Sequence, residues 1–320
     1  MAAVFLGIDS SCYTTSLAVC NIAGDILVNR KVLLPVEKNQ RGIRQSEAVF
    51  LHIKNLQKIF EDILLSDLGE IRAVAASVRP RPQDGSYMPV FQVSKSIAAA
   101  VSSATGAFFM ETTHQHAHIA AAQIGNRVPE SFVAVHLSGG TSEILTVYPN
   151  SKAVQPDVTV KGGTLDLPAG QLIDRVGQRM GFVFPCGPSM EECARNGQGT
   201  LCFKTSVEGL DFHFSGVEAQ AYRALDAHEK KQEICLAVQN AVSQTIAQAL
   251  SNACNAEKTD QALLFGGVIS NAYIKEKIKN HPACKDLKLL FAKKEFSSDN
   301  AAGLSVMAKD YYNRYCKEEL

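Results

Sequence analysis

Val4-Phe5-Leu6-Gly7-Ile8 is a short apolar run that ends in Asp9-Ser10-Ser11 and is followed by a β-like run from Ser16 to Cys20. Ala23-Gly24-Asp25 is a turn signal, and a third run extends from Ile26 to Leu34. The same order returns at Phe132 to Leu137, with the loop Ser138-Gly139-Gly140-Thr141-Ser142, a run from Glu143 to Tyr148 and a third from Ala153 to Val160. Two strand, polar loop, strand units, each followed by helical sequence, predict a duplicated α/β architecture whose two polar loops face one central cleft.

Between the copies, Phe50, Leu51, Ile53, Leu56, Ile59 and Phe60 have helical spacing, which predicts an amphipathic helix over 46–65. A second, small-residue helix is expected over 94–104. Arg79 to Pro89 is proline-rich and reads as a rigid loop. Further helices are expected over 169–180 and 233–253, and Gln261 to Phe265 reads as a strand running into Gly266-Gly267 and another helix.

With 320 residues, 46% of them hydrophobic and 20% charged, the chain is ordinary globular sequence. Its 32 basic and 32 acidic residues cancel, so no global field draws it onto nucleic acid or an anionic membrane. The one basic concentration, Arg30, Lys31, Lys38, Arg41 and Arg44, reads as a solvated loop or as a local RNA contact. Nine cysteines, Cys12 and Cys316 among them, include no C-x-x-C pair, which argues against a disulfide framework or zinc ribbon and fits a reducing, cytoplasmic setting. The N-terminal segment reads as neither signal peptide nor membrane span.

Thr113-His114-Gln115-His116-Ala117-His118 carries the first candidate site. On a helix, His114 and His118 share a face, and His116 points roughly the other way. Asp299 follows two serines that read as the cap of a helix through Leu304, which supplies a third ligand at a helix start. Two imidazoles and one carboxylate suit one divalent metal, iron or zinc, with open positions for substrate. The same spacing also occurs in histidine pairs that bind nothing.

Two glycine loops are candidates for a nucleotide. Ser138-Gly139-Gly140 after a strand exposes backbone N–H groups to a phosphate, and Gly266-Gly267 offers a second close approach. The reading sets the two at strand ends in the two halves, where open α/β sheets bind ligands. Asp174 is a candidate acceptor for a ribose, or a surface acid paired with Arg175 or Arg179. Asn271 is a nucleotide contact or a helix cap.

In this order the motifs resemble the TsaD (YgjD/Gcp) family of threonylcarbamoyl transferases of tRNA. The residues that carry the resemblance are Gly7 to Cys12, His114 to His118, Leu137 to Gly140, Leu210 to Gly216, Gly266-Gly267-Val268 with Ser270-Asn271, and Asp299-Asn300. The resemblance implies a duplicated actin/Hsp70/sugar-kinase-like (ASKHA) fold with two lobes, 1–110 and 111–320, around a nucleotide cleft. It implies a metal on His114, His118 and Asp299. It also implies an adenine nucleotide (threonylcarbamoyl-AMP, ATP or AMP) on Leu137, Ser138, Gly139, Gly140, Asp174, Gly187 and Asn271; Gly266 and Gly267 join these from the loop reading, and Asp9, Ser10 and Ser11 are a candidate phosphate loop. The reaction implied is attack by N6 of a tRNA adenosine on threonylcarbamoyl-AMP, with a TsaB-like paralogue and a TsaE-like ATPase as partners. No residue of the chain is assigned as nucleophile, because a mixed anhydride needs none.

The chain departs from the family at Tyr13-Thr14, where acids are usual, at Arg79 to Pro89, where a Gly-Pro-Gly loop is usual, at Thr141 and at His116. His114 to Ile119 also looks like HypF-type carbamoyltransferases. The alternatives are therefore a paralogue that transfers a plain carbamoyl group, or a non-catalytic subunit that binds nucleotide and metal. A metalloprotease lacks its H-E-x-x-H glutamate.

Overall fold

The computed structural model describes residues 1–11, 13–35, 43–63 and 65–315. Cys12, Lys38, Arg41 and Cys316 lie outside them. The chain divides into two compact units: Met1–Gly125 with Pro149–Pro156 and Asp299–Leu320, and Asn126–Tyr148 with Asp157–Ser298.

In the first unit, β1 (Ala3–Ser10), β2 (Thr14–Asn21) and β3 (Ile26–Leu33) form a meander, with helices α1 (Gln45–Asp62) and α2 (Leu65–Leu68) following. Next come β4 (Glu70–Arg79), α3 (Phe91–Thr105), β5 (Phe108–Thr113) and α4 (His114–Gln123). The sheet order is β3-β2-β1-β4-β5, with β1, β4 and β5 parallel.

The second unit repeats this plan. β6 (Phe132–Leu137), β7 (Ser142–Tyr148) and β8 (Asp157–Gly163) are the meander. Helices α5 (Ala169–Arg179) and α6 (Gly187–Ala194), a ribbon of β9 (Ser206–Glu208) and β10 (Asp211–His213), α7 (Ser215–Asp226) and α8 (Lys231–Ala256) lead to β11 (Gln261–Phe265). Then come α9 (Ala272–Lys279), β12 (Lys288–Phe291) and α10 (Lys294–Ser297); α11 (Ala302–Tyr315) belongs to the first unit. Read from β8, the second sheet is β8-β7-β6-β11-β12, the order of the first, with β6, β11 and β12 parallel. The duplication read from the two meanders is therefore present in topology.

Period-two alternation decides what each face of β1 meets. Val4, Leu6 and Ile8 join Leu56, Ile59, Val93 and Ala98 in a core under α1 and α3. Phe5, Gly7 and Asp9 face the other way. The Phe5 ring lies 5.6 Å from that of Tyr312 on α11. A Cβ on Gly7 would sit 2.4 Å from the carbonyl oxygen of Ala301 and 2.5 Å from the nitrogen of Ser305. Likewise, a Cβ on Gly303 would sit 2.1 Å from the carbonyl of Ala117 on α4. Two absent methyl groups thus let α11 lie directly on β1 and on α4. This docking carries the first unit past residue 110 to Gly125 and returns the chain to it at Asp299.

Two local expectations shift. The third strand of the second meander begins at Asp157, because Ala153 to Pro156 belongs to the first unit, where Arg314 on α11 donates to the carbonyl of Ala153 at 2.7 Å. The Gly266-Gly267 turn enters a 3-10 turn, Gly267–Ser270, before α9 begins.

Candidate metal centre and nucleotide loops

Because β1, β4 and β5 are parallel, Asp9, Arg79 and Thr113 all stand at the carboxyl edge of one sheet. Thr113 ends β5 and caps α4 in the same step, its hydroxyl accepting from the His116 N–H at 3.2 Å. The histidines therefore start directly at the strand end.

His114 and His118 face each other, Nε2 to Nε2, at 3.0 Å, with their rings at 75°. Asp299 Oδ1 lies 3.1 Å from His118 Nε2 and 3.6 Å from His114 Nε2. Its other oxygen accepts from Ser11 and Thr14 hydroxyls, each at 3.1 Å. His114 Nδ1 lies 3.1 and 3.2 Å from the two oxygens of Asp9, which is wholly buried. The Asp9 carboxylate requires the proton of His114 on Nδ1 and so leaves the Nε2 lone pair facing His118 and Asp299.

Three electron-pair donors that converge in this way are held together by a proton or by a metal. Two of the three separations, 3.0 and 3.1 Å, match the ligand–ligand edges, about 2.9 to 3.3 Å, of octahedral or tetrahedral coordination at about 2.0–2.1 Å, and the third, 3.6 Å from His114 to Asp299, is wider. Among the described residues they form the one group of three or more His, Cys, Asp or Glu side chains close enough to share an ion. Without a metal, burial opposes charge on His114, but Asp9 and Asp299 outweigh it and hold its pKa well above the ordinary imidazole value. Burial likewise pushes the Asp299 pKa up, and hydrogen bonds from His114 and His118 overturn this and hold it well below the carboxylate range.

The cap expected at Ser297-Ser298 is elsewhere: Ser297 donates to the carbonyl of Gly266, and Asn300 accepts from the Ala302 N–H at 3.0 Å. Asp299 is thereby free of capping and turned to the histidines. His116 is structural. Its Nε2 lies 3.0 Å from the carbonyl of Pro156, and the Thr113 hydroxyl meets Nδ1 at 2.8 Å.

The side chains of Asp9, Ser10 and Ser11, expected as a phosphate loop, are engaged within the protein. Asp9 is committed to His114, Ser10 donates to the carbonyl of Val90 at 2.8 Å, and Ser11 holds Asp299. A buried carboxylate repels phosphate. The role of Asp9 behind His114 had no local signal in the sequence, since the two are 105 residues apart.

The two glycine loops both belong to the second unit, side by side on neighbouring parallel strands, rather than one to each half. Gly266 has φ +105°, and a Cβ there would sit 2.1 Å from the carbonyl of Leu137, so the loops approach backbone to backbone. Leu137 is fully buried and offers only its backbone. Ser138 N–H donates to the carbonyl of Thr141 at 2.7 Å, closing the first loop. Gly139, Gly140, Gly187 and Gly267 have ordinary φ values and open space where a Cβ would be, so neither packing nor backbone conformation demands glycine.

Asp174, half-buried, accepts from the Cys186 N–H at 2.8 Å, one residue before Gly187. Burial raises its pKa, with that N–H opposing. Its expected arginine partners are engaged elsewhere, Arg175 with Glu218 and Arg179 with Asp226. Asn271 caps α9 through Ile274 N–H and donates to Gln239, each at 2.9 Å. Sequence reasoning missed Asp166, which accepts from Phe214 N–H at 2.9 Å and Ser215 N–H at 3.1 Å at the start of α7.

A family model described as tRNA N6-adenosine threonylcarbamoyltransferase (TsaD) matches residues 29–305. A probable bifunctional tRNA threonylcarbamoyladenosine biosynthesis protein of Methanocaldococcus jannaschii is 26% identical over 93% of this chain, which spans 54% of that longer protein. The tRNA N6-adenosine threonylcarbamoyltransferase of a Sulfurihydrogenibium species is 29% identical over 98% of this chain and 90% of its own length. Among solved structures, HypF of T. kodakarensis superposes with a TM-score of 0.58 at 13% identity, over 98% of this chain and 48% of its own. A dehydratase activator and a ROK-family glucokinase share the same ASKHA fold.

Proposed function

Because the chain belongs to the tRNA N6-adenosine threonylcarbamoyltransferase family, we propose that it transfers a threonylcarbamoyl group from threonylcarbamoyl-AMP to N6 of adenosine in tRNA. The observation that carries this reading is the convergence of His114, His118 and Asp299 over the buried Asp9. In the step proposed, the N6 nitrogen forms a bond to the carbamoyl carbon, the bond from that carbon to the phosphate oxygen breaks, AMP leaves with the electron pair, and the N6 proton passes to solvent.

His114, His118 and Asp299 would hold one divalent metal, iron or zinc, with Asp9 orienting His114. When bound, such an ion polarises an oxygen of the acyl group and stabilises negative charge on it. The protein's own contribution is position. In the second unit, Leu137 to Gly140, Gly266 and Gly267 would cradle the adenylate with backbone groups. Asp174, Asn271 and the turn at Gly187 would bound its nucleoside.

Thr14 donates to Asp299 and so replaces the usual acid with a support for a metal ligand. A hydroxyl and the Tyr13 phenol are poor bases at neutral pH. Transfer by this chain alone is therefore slow, and a TsaB-like paralogue and a TsaE-like ATPase are the partners proposed, in the cytoplasm. Among the described residues no helix is long and apolar enough to cross a membrane.

The test is a purified assay of threonylcarbamoyl-AMP with tRNA, with and without such partners, reading the modified nucleoside by mass spectrometry. Modified adenosine that depends on His118 supports the reading. Metal and nucleotide binding with no modification under any condition would identify a non-catalytic subunit instead.

A further inference from the structure

We propose that Arg79 is the receptor for the carboxylate of the amino-acid part of the carbamoyl donor, and so selects threonylcarbamoyl over plain carbamoyl. The inference rests on the proposed transfer and deepens it. Arg79 is the last residue of β4, the strand between β1 and β5. It pairs with Thr113, the residue before His114, and parallel neighbours stand roughly 4.8 Å apart. His114 on α4 reaches Asp9 on β1 across the strand that Arg79 ends, so Arg79 stands at the same carboxyl edge as both.

The backbone that follows is fixed. Pro80 restricts its own φ, its carbonyl accepts from Gln115 N–H on α4 at 3.0 Å, and the Arg81 N–H donates to the Ser86 hydroxyl at 3.0 Å. Arg79 itself is half-buried and, among the described residues, its side chain makes no hydrogen bond and no ion pair, although Asp9 and Asp299 belong to the same unit. A half-buried arginine without an acid partner suits an oxyanion, and its planar fork fits a carboxylate or phosphate at two points.

The donor carries two oxyanions. The carboxylate belongs to the acyl part, the part that a metal on His114, His118 and Asp299 would polarise, and those residues share one unit with Arg79. A plain carbamoyl donor has no such group.

The experiment is calorimetric titration of the zinc-loaded full chain with N-carbamoyl-L-threonine, with its carboxylate-reduced alcohol and with AMP. Arg79→Gln should weaken N-carbamoyl-L-threonine roughly 10- to 100-fold, the worth of a charge-assisted pair, and leave AMP unchanged. Arg79→Lys should recover only part, because an ammonium lacks the fork. The alcohol should bind wild type and Arg79→Gln equally weakly. Equal affinity of wild type and Arg79→Gln for N-carbamoyl-L-threonine overturns the proposal, as does a loss of AMP binding in Arg79→Gln, which would make phosphate the anion. Wild type that binds AMP but not N-carbamoyl-L-threonine overturns this assignment alone, and wild type that binds neither overturns the proposed transfer as well.

Discussion

Replacing Asp9 with Asn should weaken metal binding without removing it. Asn keeps the shape and an acceptor for His114 Nδ1–H, so the ring stays in place and only the charge behind it is lost. Two unit charges 3.1 Å apart interact by about 5 kcal/mol at an effective dielectric of about 20, and the partial charge of an N–H dipole reduces this to about 2 kcal/mol. That is roughly a 30-fold loss of affinity, within the range of about 10- to 100-fold for a carboxylate behind a metal-bound histidine. Competition against a chromophoric zinc chelator at pH 7.5 reads the change, and thermal melts of the metal-free proteins check that the fold survives. An affinity within about twofold of wild type would show that Asp9 does not tune His114, and the centre would need another explanation.

Other substitutions separate the remaining roles. His118→Ala should abolish stoichiometric metal by elemental analysis, whereas His116→Ala should retain it and lower stability, since His116 is tied to Pro156; the opposite pattern would move the metal to His116. Gly139→Val should remove the rise in melting temperature that AMP or ATP gives wild type, because its side chain would occupy the open face of the loop; a full shift in the variant would place the nucleotide elsewhere. Asp166 is partly buried, which raises its pKa, but hydrogen bonds from Ser215, Phe214 and Leu167 outweigh this and hold it at about 2. Its stabilisation is present above the ordinary carboxylate range and is lost as pH falls from about 4 toward 2, so Asp166→Ala should cost about 1 to 2 kcal/mol at pH 7, after discounting for its exposure, and flatten that limb of the acid unfolding curve. An unchanged acid limb in Asp166→Ala would mean that these bonds contribute nothing to folding.

What the sequence makes legible here is local. An apolar run that stops at a polar turn and resumes in β-like sequence predicts a meander, and both meanders are present within a few residues of their expected bounds. The i,i+4 spacing of His114 and His118 needs only helical geometry. Asp299 stood out as an acid at a helix start, although Asn300 does the capping. Features set by tertiary approach were not legible. Gly7 and Gly303 look like any other glycines until α11 is laid on β1 and α4. Asp9 resembles a phosphate-loop acid until β5 brings His114 beside it. Ala153 to Pro156 continues a β-like pattern, and only the contacts of Arg314 and His116 show that it belongs to the first unit.

The docking of α11 on β1 and α4 also orders events in time. His118 and Asp299 are separated by 181 residues, and Ser11 and Asp299 by 288. At about 5 to 20 residues per second, a ribosome that has made His118 needs about 10 to 40 s more to reach Asp299. Throughout that interval the nascent chain carries a histidine pair with no carboxylate, and its first sheet lacks the helix that covers Phe5 and Gly7. The centre therefore cannot be loaded in its finished form on a growing or truncated chain. For the metal proposed on His114, His118 and Asp299, occupancy reports that the segments carrying these residues have met, and a chain cut short before residue 299 would be metal-poor however well its second unit folded.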